Sequence, residues 1–304
     1  MIVLNSLFPI FVLILLGRIL KSRGLTNSEF LKTADRLIYF FFFPVMLFWK
    51  IGGSSFDGGI DWLFVVAGVA PFLTMFFLST CVIYLCKVTP YQAGSFSQSC
   101  YRFNTYIGVA VVLNSLGSEG VKYFGLLIGF VIPLVNLFAV AVLIWFSGEK
   151  LKLEQRFVIT TRAVLSNPLI LGCVAGIVYS QALGRFPVFI DNSLALISMV
   201  ALPLALISVG GSLTFDGVRG NFKLSLVGAA LKLLVLPVLG YGFFHLFGVT
   251  GVPFKVGLIF LALPASTAIY VLSSQLHSDT ELASSAIVIS TLLSFISLSV
   301  VLLI

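Results

Sequence analysis

The chain is dominated by apolar runs of about twenty residues that follow one another from end to end, with only short polar breaks between them. A helix that crosses a bilayer needs about 20 predominantly apolar residues, so each run is long enough to span, and together they leave room for little else. The chain is 59% hydrophobic and only 10% charged over 304 residues, and its mean hydropathy is +1.14. A water-soluble domain of this length needs a polar exterior that this composition does not supply. No polar stretch is long enough for a separate soluble domain. The expected class is therefore an all-α polytopic membrane protein.

Charges, Gly/Pro clusters and polar turns divide the apolar text into ten expected spans. Spans 1 to 5 cover about residues 3–22, 33–52, 62–86, 91–116 and 120–146, and spans 6 to 10 about 162–183, 187–213, 221–247, 253–276 and 280–303. Orientation follows from Lys and Arg, which gather in cytoplasmic loops. Loops 1–2, 3–4, 5–6 and 7–8 with their flanks hold Arg18, Lys21, Arg23, Lys32, Arg36, Lys87, Lys150, Lys152, Arg156, Arg162, Arg219 and Lys223. The opposite side holds Lys50, Lys122, Arg185 and Lys255. Twelve against four sets loops 1–2 and 5–6 in the cytoplasm and both termini outside. The formal net charge of +7 then reflects topology rather than a nucleic-acid partner. Met1 to Phe11 carries no positive charge, and the basic residues follow the first apolar run, as expected of a retained first span rather than a cleaved leader.

An offset of 159 residues carries Pro9 onto Pro168, Gly17 onto Gly176 and Pro44 onto Pro203. The same offset lays Asn104-Thr105 over Leu263-Pro264. Five spans per copy is an odd number, so the second copy must be inverted in the bilayer, a construction found among secondary transporters. The expected units are an N-terminal five-helix repeat over 1–148, a cytoplasmic linker over 149–160, and a C-terminal inverted repeat over 161–304.

Span 4 is the most polar, reading Ser95-Phe96-Ser97-Gln98-Ser99-Cys100-Tyr101-Arg102-Phe103-Asn104-Thr105. From Pro90 to Asn104 is about 21 Å of helix, well inside a hydrocarbon core of about 30 Å. Span 9 reaches Pro264 at a similar depth from the other side and continues as Ala265-Ser266-Thr267. Both spans are expected to break there. A half-helix that begins in mid-membrane presents backbone N–H groups and a partial positive charge, which suit an anion. Asn104, Thr105, Ser266 and Thr267 can cap those ends or touch a ligand. Arg102 adds a fork that matches a carboxylate. Two readings of Arg102 stay open, a site cation and a side chain that snorkels to the surface. Lys232 in span 8 is a candidate for substrate or coupling. Pro44, Gly108 and Pro203 are expected as structural helix breaks.

No carboxylate or histidine stands at the expected centre. Glu29, Asp35, Asp57, Asp61, Glu119, Glu149, Glu154, Asp191, Asp216, Asp279 and Glu281 fall at loops or span ends. This favours an anionic substrate and disfavours tight sodium coupling. His245 and His277 read as residues near span ends on opposite sides, and an intramembrane enzyme, which needs converging groups, is not expected. Cys81, Cys86, Cys100 and Cys173 match no metal or redox spacing and read as small packing residues. No metal and no cofactor are expected.

Phe43-Pro44, Arg102-Phe103-Asn104-Thr105-Tyr106-Ile107-Gly108, Asn167-Pro168-Leu169-Ile170, Ala201-Leu202-Pro203 with Gly210-Gly211, and Ala262-Leu263-Pro264, in that order, resemble the auxin efflux carrier family and its bacterial malate- or malonate-permease members. The resemblance covers nearly the whole chain. It implies a fold like that of the bile-acid sodium symporters, with spans 1, 2, 6 and 7 as a scaffold and spans 3–5 and 8–10 as a moving unit. It also implies a homodimer, and a site beside crossed, broken spans 4 and 9. Asn104 then matches the family's asparagine at the first break, and Pro264 the proline of the second. The chain departs from many relatives at Val109-Ala110, from plant members at Ala268-Ile269, and from plant members again in carrying a basic residue at Arg102. The function expected is a carrier that moves small organic anions such as carboxylates by alternating access. A multi-pass protein of the cell membrane, here a bacterial inner membrane, is the expected setting. The alternatives are an anion-selective channel and a carrier of neutral or amphipathic substrates.

Overall fold

The computed structural model of the protein describes residues 2–53, 61–147, 162, 165–183, 185–215 and 217–304. The expected linker 149–160, with Lys150, Lys152, Glu154 and Arg156, lies outside the described residues, as do Asp57, Glu149 and Asp216. Among the described residues, regular structure is helical throughout, apart from one isolated backbone bridge.

The elements run α1 (Ile2–Ser22), α2 (Ser28–Leu37), α3 (Phe43–Gly52), α4 (Trp62–Leu85), α5 (Pro90–Tyr101) and α6 (Thr105–Ser147). They continue as α7 (Pro168–Ala182), α8 (Val188–Ser212), α9 (Val218–Ala230), α10 (Leu236–Leu246), α11 (Gly251–Leu261), α12 (Ala268–Gln275) and α13 (Thr280–Leu303). Short polar side chains start several of them by accepting from backbone N–H groups of the first turn: Asn27 for α2, Asp61 for α4, Asn167 for α7 and Asp279 for α13. Gly117, at φ 65° inside α6, turns the chain where the sequence puts a boundary between spans 4 and 5.

Among the described residues two widened π turns occur, Ile38–Phe42 joining α2 to α3 and Leu231–Val235 joining α9 to α10. Each is followed by a proline one residue into the next helix, Pro44 and Pro237. A proline ring clashes with the carbonyl four residues earlier and offers no N–H to it; widening the preceding turn relieves the clash without ending the helix. Pro44 therefore perturbs its helix rather than breaking it. Pro203 and Gly108 also correct the expectation of helix breaks. The helical path is unbroken through Pro203 in α8, and Gly108 lies one turn inside α6.

Among the described residues, six helices are long and apolar enough to cross a membrane: Val3–Ser22, Trp62–Leu85, Thr105–Leu143, Val188–Ser212, Val218–Leu246 and Thr280–Leu303. Pro168–Ala182 and Gly251–Leu261 are shorter apolar helices. Large apolar side chains face outward along them, among them Phe8, Leu15, Phe77, Leu196 and Val238, as a hydrocarbon solvent permits. Cys100 and Cys173 pack in the interior as expected, whereas Cys81 and Cys86 are exposed on α4 and just beyond its end.

The helices assemble through small residues. A Cβ built on Gly17 of α1 would overlap the backbone of Ile207 in α8, and one on Gly210 of α8 the backbone of Ile14. Glycines at such seams let helix backbones touch, the main source of helix association where no hydrophobic drive exists. Arg18 Nη1 donates to Leu213 O at 3.0 Å and Lys21 Nζ to Gly211 O at 2.8 Å, so two cations satisfy the carbonyl end of α8. Ser208 Oγ of α8 donates to Asp35 Oδ1 of α2, tying the same frame together.

Candidate functional site

Two helices stop and restart in the interior, and their gaps meet. α5 ends at Tyr101, Arg102 is extended (φ −71°, ψ 131°), and α6 begins at Thr105. Opposite, α11 ends at Leu261 and α12 begins at Ala268. Phe103 and Ala265 form an antiparallel bridge, and Asn104 N–H donates to Pro264 O at 2.9 Å. Backbone groups freed by each break thus satisfy each other across the crossing, where no water is available to do so. Phe103, Asn104, Pro264 and Ala265 are all buried.

The remaining polar groups are closed by side chains. Asn104 Oδ1 accepts from Tyr106 N–H at 3.1 Å and Ile107 N–H at 3.2 Å, which caps α6. Ser266 Oγ accepts from Ala268 N–H at 3.3 Å at the start of α12. From α13, Ser290 Oγ accepts from Ala265 N–H at 3.1 Å, and Ser297 Oγ donates to Ala262 O at 3.1 Å. Asn104 and Ser266 are caps, so the N–H groups at these half-helix starts are partly taken. Thr105 and Thr267 are half-buried, and their hydroxyls carry no hydrogen bond among the described residues. Gly108 stands where a Cβ would meet Phe124 and Leu263, so its lack of a side chain brings α6 close to the crossing.

Arg102 is half-buried. Its Nη2 donates to Asn136 Oδ1 in α6 at 3.0 Å, and Nη1 lies 3.4 Å from Gln98 Oε1 on α5. Both partners are neutral, so three of the five guanidinium N–H donors and the whole charge stay uncompensated by a carboxylate among the described residues. Asn136 had no signal in the sequence, because it acts only through a neighbour 34 positions away.

Lys232 lies deeper than its sequence position suggested. It is fully buried in the π turn between α9 and α10, with Nζ 3.4 Å from Leu261 O, the last carbonyl of α11. The Nζ also stands 5.6 Å from the Phe72 ring centroid and 5.9 Å from that of Phe103, within cation–π range. Lys232 therefore belongs to the crossing, together with Phe103.

A cavity of about 440 Å³ that the sequence did not reveal lies apart from the crossing, and none of Arg102, Asn104, Thr105, Pro264, Ser266 and Thr267 lines it. α1, α3 and α8 wall one side and residues 110–114 of α6 the other, through Met46, Trp49, Lys50, Leu113, Asn114 and Pro203 among others. The lining is mainly apolar. Trp49 Nε1 donates to Asp191 Oδ1 at 2.7 Å, and Lys50 Nζ stands 4.0 Å from the Trp49 ring centroid. Asn114 Nδ2 is 3.4 Å from Ser6 O, which bridges α6 to α1 at the cavity edge. Pro203 contributes to this wall instead of interrupting its helix. His245 and His277 lie away from the crossing: the His245 ring packs 4.3 Å from Tyr241 near the end of α10, and His277 sits at positive φ between α12 and α13. No cluster of three or more potential metal ligands occurs among the described residues.

Residues 2–302 match the family model described as "Membrane transport protein". The chain belongs to this membrane transport family. It is 26% identical over 300 residues to an uncharacterized transporter of Methanothermobacter thermautotrophicus, with 97% of this chain and 95% of that protein aligned. It is 22% identical over 303 residues to an uncharacterized transporter of Methanocaldococcus jannaschii, with 97% and 96% aligned. Family and relatives are transporters, not enzymes, and this agrees with the multi-pass architecture.

Proposed function

We propose that this membrane transport protein is a carrier for organic anions with an apolar body, working by alternating access. The observation that carries the reading is the mainly apolar cavity of about 440 Å³, which has a lysine in its wall and lies between two helix groups that meet along α6. A pocket of this size accommodates a ligand larger than the smallest dicarboxylates, and a few polar groups in an apolar wall orient such a ligand. The carboxylate end is drawn to Lys50 in the cavity or to Arg102 at the crossing.

In this reading α1–α3, α7 and α8 are the scaffold, and α4–α6 and α9–α13 the moving unit. The architecture proposed is ten spans in two inverted repeats. The offset of 159 residues supports it in three dimensions as well as in sequence. It maps Gly17 to Gly176 and Phe48 to Ile207, and the two contacts correspond: a Cβ on Gly17 would overlap the Ile207 backbone, and one on Gly176 would stand 3.1 Å from the Phe48 carbonyl oxygen. In this architecture α1 on α8 and α7 on α3 are corresponding seams. On the basic-loop topology the cavity mouth faces outside, because Lys50 and Ala195 lie toward that end of their helices. Both termini are then outside, the membrane is the cell membrane, and two copies pair as a homodimer. The lipid bilayer is the other partner; no nucleic acid is involved.

Purified protein screened by thermal shift against aliphatic and aryl mono- and dicarboxylates tests the reading, since a ligand selective for the native state raises apparent stability. Stabilisation by a carboxylate, but not by its amide, and its loss in Lys50→Ala or Arg102→Ala, is expected. Equal stabilisation by acid and amide would shift the substrate to a neutral amphiphile. Stabilisation by the acid that survives in both variants would remove these cations from the site.

A further inference from the structure

The strongest feature the carrier reading leaves unused is Lys232. A helix that ends inside a membrane leaves its last carbonyls without N–H partners and a partial negative charge at that end. In transporters such carbonyl ends are places where a diffusible cation binds. At the end of α11, Ala262 N–H serves Leu258 O and Ile259 O, Ser297 Oγ serves Ala262 O, and Lys232 Nζ faces Leu261 O. The lysine is fully buried, yet no carboxylate forms an ion pair with it among the described residues. Its other neighbours are the faces of Phe72 from α4 and Phe103 from the crossing itself, with the Cys100 thiol of α5 also in electrostatic range. α13, which packs on the same turn, carries no ionisable side chain between Leu282 and Leu303.

A buried ammonium is retained only where something negative faces it. Here the negative elements are a helix carbonyl end and two aromatic faces, the same set that would hold a monovalent cation. The π turn Leu231–Val235 bears the residue that reaches this point, as π turns at working positions commonly do. We infer that the Lys232 ammonium is a resident cation of the crossing, capping the carbonyl end of α11 so that the broken helices assemble without a bound metal ion. The consequence for transport rests on the carrier reading: substrate binding then needs neither sodium nor potassium. The structural statement stands apart from it.

The test is therefore run without substrate, on the full chain in detergent. Wild-type melting temperature is compared in sodium, potassium, lithium and choline chlorides at fixed ionic strength. No difference beyond the spread among replicates is expected, and a specific rise with any one metal ion would overturn the inference. Lys232→Ala is expected to melt several degrees lower and to recover most of that loss with n-propylammonium, which replaces the deleted stem and charge, but not with n-propanol. Recovery with propanol to the same extent would mean that only volume matters, and the inference fails. Lys232→Gln keeps a donor for Leu261 O without the charge. It is expected to melt below wild type; wild-type stability in this variant would overturn the role of the charge. Should Lys232→Ala fail to fold, the wild-type salt series and Lys232→Gln still decide. If these hold while no carboxylate stabilises the protein in the screen above, the carrier substrate is wrong and the resident cation is not.

Discussion

Replacing Gly17 by alanine tests the frame on which any movement depends. The added Cβ overlaps Ile207 O, C and Cα, all of them backbone atoms that cannot rotate away. Relief requires α1 and α8 to separate, which pulls Arg18 from Leu213 O and Lys21 from Gly211 O. Overpacking of this kind costs about 1–3 kcal/mol, and each weakened hydrogen bond adds about 1 kcal/mol. Alanine's better helix propensity returns about 1 kcal/mol. The net loss is about 2–4 kcal/mol. At roughly 2–4 °C per kcal/mol this is a fall of several degrees in melting temperature. The structure supplies two internal comparisons. At Gly176 the nearest obstacles are Ile51 Cβ at 3.0 Å and Phe48 O at 3.1 Å, which a shift of a few tenths of an ångström relieves. At Gly129 a Cβ meets open space. Tryptophan fluorescence during thermal unfolding of the three purified alanine variants should rank Gly17 lowest, Gly176 in between and Gly129 at or above wild type. A Gly17→Ala protein as stable as Gly129→Ala would refute the backbone-to-backbone seam between α1 and α8.

Other expectations concern the crossing and the cavity. Asn104→Ala removes the cap on two N–H groups of α6 and should lower stability by about 1–2 kcal/mol, whereas Asn104→Asp should retain most of it; unfolding temperatures of the pair check this. Ser290→Ala leaves Ala265 N–H buried without its acceptor, a loss of about 1–3 kcal/mol that hydrogen exchange at Ala265 should register as faster opening. Leu113→Trp fills part of the cavity, so ligand-dependent thermal stabilisation should vanish while the unliganded melting temperature stays within a few degrees of wild type. Trp49→Phe deletes the donor to Asp191 and should weaken carboxylate binding, read by the same titration.

The location of the two breaks was legible in the sequence because it depends on local chemistry. Polar residues and a proline interrupt otherwise apolar runs at Asn104 and Pro264, and the helices stop at these points. The same local logic misjudged Pro203, Gly108 and Pro44, where the tertiary context keeps the helix continuous: a widened turn precedes Pro44, Pro203 lies in the wall of a cavity, and Gly108 makes room for Phe124 and Leu263. Arg102 stood out by its charge, but its holder Asn136 did not.

Membrane residence, helical character and the positions of the two breaks along the chain were determined by the sequence alone, since hydrocarbon admits a chain only if each apolar run satisfies its own backbone. The tertiary structure alone decided which freed groups meet. The pairing of Asn104 with Pro264, the approach of Lys232 to the end of α11, and the cavity between α1, α3, α6 and α8 each join segments separated by tens to hundreds of residues. Their geometry is set by how closely glycine seams let helices approach, a property of packing between helices rather than of any one of them.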